Sequence, residues 1–269
     1  MNKGLSISAA KMASILGLTL LIAVATPSAI AQVPGGSGPQ VKVADAKTGD
    51  TRLIASNGIR EFLESVKRQA EEAIGHPIII QYGASKELKT TIESGQPFEV
   101  AIITPEVLDQ MIAEGKVAAG SRFDIASVPI GIGQLGNAPK SDISTLAALK
   151  QTLLNAKSIR SATFGAAFPA TMKMLDGLGI AETVKTKLNV PGEVQLAPGE
   201  YELSVTLISE LLPAKNLVYL GEIPKELNVP AVMSAGIGSA GDEMAAKALI
   251  RFLQRPALDT LLKEKGMQR

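Results

Sequence analysis

The chain is 269 residues long with 27 Lys and Arg against 26 Asp and Glu, a balance that leaves no basic field for nucleic acid. It contains no Cys, which excludes a disulfide framework, thiol chemistry and Cys-zinc sites. Trp is absent and aromatic residues make up 3%, giving little support to sugar-stacking platforms or aromatic cages.

The first 31 residues read as a secretory signal peptide. Lys3 and Lys11 form its charged start, residues 12–25 an uncharged and largely apolar run, and Ala29 and Ala31 the small-residue pattern that signal peptidase accepts. The run is shorter than the ~20 residues that span hydrocarbon, so cleavage after Ala31 and release into the periplasm are expected rather than anchoring. The 238 residues that follow carry 25 basic and 26 acidic side chains, a formal net charge of −1. Residues 32–40 are rich in Gly and Pro and read as a flexible spacer. The remainder is long enough for one large domain or two medium ones.

From Thr51 short apolar runs alternate with amphipathic stretches. Residues 52–55 predict a strand. Ile59, Phe62, Leu63, Val66, Ala70 and Ala73 then fall on one helical face, and Gly75-His76-Pro77 stops that helix. Residues 77–82 predict a second strand, 85–94 a second helix and 98–104 a third strand. Pro105 opens a helix whose inner face carries Val107, Leu108, Met111 and Ile112. This alternation implies β-α-β units and α/β sheets flanked by helices. Residues 125–135 form an extended stretch long enough to cross between domains. A second series follows, with helices over 144–156, 171–178 and 182–188 and strands at 159–163 and 217–220. Residues 230–235 are strand-like, and helices over 242–254 and 256–265 end the chain.

Motifs that suggest chemistry do not hold together. Residues 131–136 and 236–241 both match G-x-G-x-x-G, yet the first is followed by Asn137-Ala138-Pro139 instead of a helix, and the second leaves too little chain for the returning strand of a dinucleotide site. Ser239 lacks the first glycine of a nucleophile elbow, because Ile237 stands there. The single His, His76, sits between a helix stop and a proline, so neither a catalytic triad nor a His-metal site has its parts. No catalytic residue, metal or cofactor is expected.

What the strand ends do offer is hydrogen bonding. Ser56 and Asn57 follow the first strand, Ser85 the second and Thr104 the third, each at a helix N-terminus. Such termini present unpaired N–H groups and partial positive charge, which suit a small anion or polar ligand; ordinary N-capping is the alternative for each residue alone.

Several segments carry a resemblance: Ile54-Ala55-Ser56-Asn57-Gly58, Tyr82-Gly83-Ala84-Ser85-Lys86, Gly95-Gln96-Pro97-Phe98-Glu99-Val100, Pro198-Gly199-Glu200 with Ile208-Ser209-Glu210, Ser234-Ala235-Gly236, and the closing helices. In these the chain resembles the type II extracytoplasmic solute-binding proteins of ABC transporters, and among them the molybdate-binding kind, over about residues 51–269. The resemblance implies a two-lobed α/β fold of the periplasmic-binding-protein type, each lobe a mixed sheet flanked by helices. Lobe 1 would comprise residues 41–128 with 230–269, and lobe 2 residues 129–229.

It also implies capture without catalysis: a monomer closes about its hinge on a small oxyanion or polar solute, molybdate being the best named candidate, and delivers it to an ABC permease. Ser56, Asn57, Ser85 and Thr104 would form the first half-site. Gly165 and Ala166, in a loop over 161–171 that is shorter and more apolar than the family's glycine-rich one, would form the second. Leu207 stands about where molybdate binders carry a ligand-contacting Tyr. An exported enzyme on the same fold, or a module that senses or interacts without a ligand, is the alternative.

Overall fold

This computed structural model describes Lys42 and residues 45–269; the expected signal peptide and spacer lie outside the described residues. β1 (Thr51–Ser56), β2 (Ile78–Gly83) and β3 (Val100–Ile103) are apolar runs joined by α1 (Arg60–Ile74) and α2 (Ser85–Glu93). β1 lies between β2 and β3 and parallel to both, so all three end at the same edge of their sheet. Successive side chains point to opposite faces. Leu53 and Ala55 pack in one core with Phe62, Leu63 and Val66 of α1, whereas Ile54 packs in a second with Leu88 of α2. Burying Phe62 alone is worth about 1.5–3 kcal/mol. Ala73, expected on the inner face of α1, is exposed, and Ile74 is partly buried instead. Gly75, with φ 79°, caps that helix in the left-handed conformation.

α3 (Pro105–Ala113) follows β3, with proline in its first turn. β4 (Phe123–Val128) and β5 (Ile130–Leu135) then divide the expected crossing stretch, with only Pro129 between them. β4 stays in the first sheet and β5 enters a second. The rest of the chain supplies α4 (Leu146–Asn155), β6 (Ser158–Arg160), α5 (Phe168–Gly177), α6 (Ala181–Val184), β7 (Glu202–Leu207), α7 (Ile208–Leu211) and β8 (Val218–Glu222). It ends with β9 (Ala231–Ile237), α8 (Glu243–Leu253) and α9 (Asp259–Glu264).

The sheet orders are β2-β1-β3-β9-β4 and β6-β7-β5-β8. Both are mixed: β9 returns antiparallel between β3 and β4, and β5 is antiparallel to both of its neighbours. The two passages between sheets are stitched together. The Asn228 side chain accepts from the Ile130 N–H at 3.1 Å and donates to the Ile130 carbonyl at 3.2 Å. Among the described residues no helix is long and apolar enough to cross a membrane.

Candidate functional site

The common edge of β1, β2 and β3 gathers the first-lobe residues expected from the sequence. Ser56 and Ser85 are buried, 3% and 2% exposed. The Ser56 hydroxyl accepts from the Gly58 N–H at 3.3 Å, and that of Ser85 accepts from the Thr104 N–H at 3.2 Å. The second bond joins the end of β3 to the start of α2, so two of the three strand ends are tied directly. Neither serine donates its own proton to a protein acceptor among the described residues, and Thr104, the N-cap of α3, makes no side-chain capping bond. These local bonds thus use lone pairs and leave the hydroxyl protons without a protein acceptor among the described residues. Asn57 is taken differently: its side-chain oxygen accepts from Arg60 Nη2 at 2.9 Å.

The second lobe reaches this edge through β7. β6 and β7 run parallel, so the loop after β6 and the helix after β7 leave the same edge of their sheet. α7, after β7, touches the first lobe: the Ser209 hydroxyl donates to the Gly58 carbonyl at 2.7 Å. A Cβ placed on Gly58 would stand 2.4 Å from Leu207 Cδ1 and 2.7 Å from Met233 Cε, so a larger residue there would have to push these two side-chain ends aside. Leu207, 1% exposed, therefore packs its apolar side chain from the second lobe against Gly58 of the first.

Gly165 and Ala166 lie in the turn after β6, half-buried. The Gly165 N–H donates to the Ala162 carbonyl at 2.8 Å, and no hydrogen bond joins either residue to the first-lobe group. Phe164 beside them is 57% exposed. The turn is anchored by Asn189, whose side-chain oxygen accepts from the Ser161 N–H at 2.8 Å and which adopts φ 52° to do so.

Sequence reasoning passed over Arg60. Its side chain folds back towards the strand end, stacks over the Tyr82 ring at 4.2 Å and donates to Asn57. The Tyr82 hydroxyl is buried with no partner at hydrogen-bond distance, although Glu64 stands near enough to act on it. Burial first, then the Glu64 charge, holds that phenol far above its ordinary pKa, so it stays protonated.

From the second lobe Glu210 accepts from the Thr206 hydroxyl. Burial raises the Glu210 pKa; the Thr206 bond, the Arg60 charge and the Leu207 N–H oppose that rise without cancelling it. The Arg60 charge therefore acts on Glu210 across the lobes, yet no ion pair forms between them among the described residues. One sequence signal for Arg60 was available: a cation in the first turn of a helix faces the unfavourable end of its dipole, which invites a purpose.

The other candidates resolve into structure. Gly238 and Gly241 lie against β3's entry, where a Cβ would stand 2.1 and 2.5 Å from the Phe98 carbonyl oxygen. Gly131 and Gly133 lie within β5. His76 is exposed and lines a cavity of about 370 Å3 at the opposite end of the first sheet. Arg52 and Glu99 in that cavity's wall are spent on each other, Arg52 Nη2 reaching Glu99 Oε1 at 2.5 Å. Among the described residues no group of three or more His, Asp or Glu side chains is placed to hold a metal.

Comparison with known proteins agrees with this architecture. The family described as bacterial extracellular solute-binding protein matches residues 51–268. An aconitate isomerase from a Pseudomonas species is 24% identical over 226 residues, 80% of this chain and 86% of that protein. The molybdate-binding protein ModA of Azotobacter vinelandii is 28% identical over 237 residues, 82% of this chain and 90% of that protein. The solved structure of the Azotobacter vinelandii periplasmic molybdate-binding protein superimposes with a TM-score of 0.65 at 19% identity, covering 82% of this chain and 99% of that one. The likeness is one of fold: two lobes, each a mixed sheet flanked by helices.

Proposed function

The chain belongs to the bacterial extracellular solute-binding proteins, and from that premise we propose that it captures a small anion between its two lobes in the periplasm and passes it to the permease of an ABC transporter. The observation that carries this reading is the state of Ser56 and Ser85. Both hydroxyls are buried at one sheet edge, accept from backbone, and keep their protons for an incoming acceptor. The first amides of α2, at Ser85 and Lys86, have no acceptor within the helix and add donors and partial positive charge at the same place. Gly165 and Ala166 would complete the cage from the second lobe when the hinge at Pro129 and Asn228 closes. A relative named for molybdate binding supports an oxyanion as one ligand class.

In this reading a monomer binds and releases, and no bond is made or broken. Calorimetric titration with molybdate, tungstate, sulfate and small carboxylic acids tests it. Saturable heat with at least one anion is expected, and silence with all of them sinks the proposal. A second reading, an isomerase of carboxylic acids, draws on the relative named aconitate isomerase and on the Glu210 carboxyl beside the crevice. Incubation with aconitate, its isomer ratio followed by proton NMR, separates the two. An unchanged ratio is expected, and enzyme-dependent interconversion would replace capture by catalysis.

A further inference from the structure

We propose that the crevice selects a small organic anion, with a carboxylate on the unused edge of the Arg60 guanidinium and a carbon skeleton against the turn that carries Phe164. The inference rests on the reading of the interlobe crevice as an anion site and narrows the ligand class.

Arg60 is held in three ways that fix its plane. The aliphatic stem belongs to α1, the guanidinium lies on the Tyr82 ring at 4.2 Å, and Nη2 is spent on Asn57 at 2.9 Å. Asn57 directly follows Ser56, so the guanidinium is drawn towards the strand end where the unspent hydroxyls gather. Its remaining N–H groups have no acceptor among the described residues. Glu210, the second-lobe carboxylate whose titration it influences, is occupied with Thr206. A stacked guanidinium with one edge open is pre-organised for a planar, two-oxygen acceptor, and little side-chain entropy is left to lose on binding.

The opposite wall argues for carbon. A tetrahedral oxyanion is polar on every side and must find donors all round, because each buried oxygen left unpaired is costly. The second lobe presents, in the turn that leaves β6 at the edge facing the first lobe, Ala162, Phe164, Gly165 and Ala166, with Thr163 the one hydroxyl among them. The Gly165 amide is already spent on Ala162. A cation and hydroxyls on one side and apolar surface on the other suit a ligand charged at one end and hydrocarbon at the other.

The test is calorimetric titration of the purified exported protein with succinate, malate, tricarballylate, molybdate and sulfate, alongside Arg60→Ala, Arg60→Lys and Phe164→Ser. We expect one of the carboxylic acids to bind more tightly than either inorganic anion. Arg60→Ala should weaken it at least about tenfold, and Arg60→Lys should recover part of the loss, keeping the charge without the planar fork. Phe164→Ser should weaken the same acid without lowering the melting temperature of the free protein. Tighter binding of molybdate or sulfate overturns the inference and leaves anion capture standing; silence with every anion overturns both. Unchanged carboxylate affinity in Arg60→Ala or in Phe164→Ser also overturns it, whatever the variant does to stability.

Discussion

The Ser209 hydroxyl donates to the Gly58 carbonyl at 2.7 Å, tying the second lobe to the turn that follows the first strand. Both residues are buried, and no other side chain donates to that carbonyl among the described residues. Ser209→Ala should therefore leave a buried acceptor unsatisfied and cost about 1–3 kcal/mol of unfolding free energy. Urea denaturation measures this, and a change within error would mean that the contact opens readily in solution.

Ser85 carries a different load, because its oxygen holds the Thr104 N–H while its proton has no protein acceptor among the described residues, which in the proposed site leaves it for an anion. Ser85→Ala should weaken binding of whichever anion the wild-type protein takes by about 1.5–3 kcal/mol, the usual worth of a hydrogen bond to a charged group. Calorimetry checks this. Wild-type affinity in the variant would move the site away from the strand ends.

The parallel strands of the first sheet were legible because they are buried on both faces: Val100–Ile103 is apolar throughout, and α1 keeps its helical period as far as Ala70. β7 was not assigned, although it lies inside the second sheet between β6 and β5. Residues 202–207 alternate polar and apolar, which signals a strand with one solvated face, so the element itself was readable; the burial of Glu202, Ser204 and Thr206 was not. What hides Glu202 is long-range pairing with Arg160 Nε at 2.6 Å and with the Ser158 hydroxyl, which no local pattern reveals. Ser56, Ser85 and Thr104 were readable from their places at strand ends. Arg60 was not, since its role depends on Tyr82 lying beneath it and on Glu210 in the other lobe.

The glycines of residues 236–241 resemble a phosphate loop because close approach of backbone to backbone and of backbone to phosphate both exclude a Cβ. At Gly238 the excluding atom is the Phe98 carbonyl oxygen, 2.1 Å from the Cβ position, and backbone cannot step aside as a flexible side chain would. Gly238→Ala should destabilise the protein by at least the about 1–3 kcal/mol typical of overpacking. Thermal unfolding measures the loss, and a melting temperature equal to wild type would show that the β3–β9 contact is looser than described.

Two carboxyls, Glu99 buried and Glu210 half-buried, should give the stability curve opposite slopes on either side of the ordinary carboxyl pKa of 4.5. Burial raises Glu210 above that value, so the folded protein binds its proton more tightly than the unfolded chain. The cost of holding the charge is absent below pH 4.5 and fully present above the folded pKa. Stability should then rise as pH falls towards 4.5, and Glu210→Gln should be more stable than wild type at neutral pH with a flatter slope. Burial would raise Glu99 too, but its bonds to the Arg52 side chain and N–H win and lower it. Its contribution is therefore present above pH 4.5 and lost as pH falls through the folded pKa. Glu99→Gln should be less stable than wild type at pH 7 and should lose less on acidification. Removing one partner of a buried pair costs about 3–5 kcal/mol, and the effect here should be at or below the lower figure because the Arg52 side chain is 24% exposed. Urea denaturation of wild type and both variants between pH 3 and pH 8 decides the matter. Parallel curves for wild type and Glu210→Gln above pH 4.5 would mean that Glu210 is solvated where the Arg60 charge reaches it.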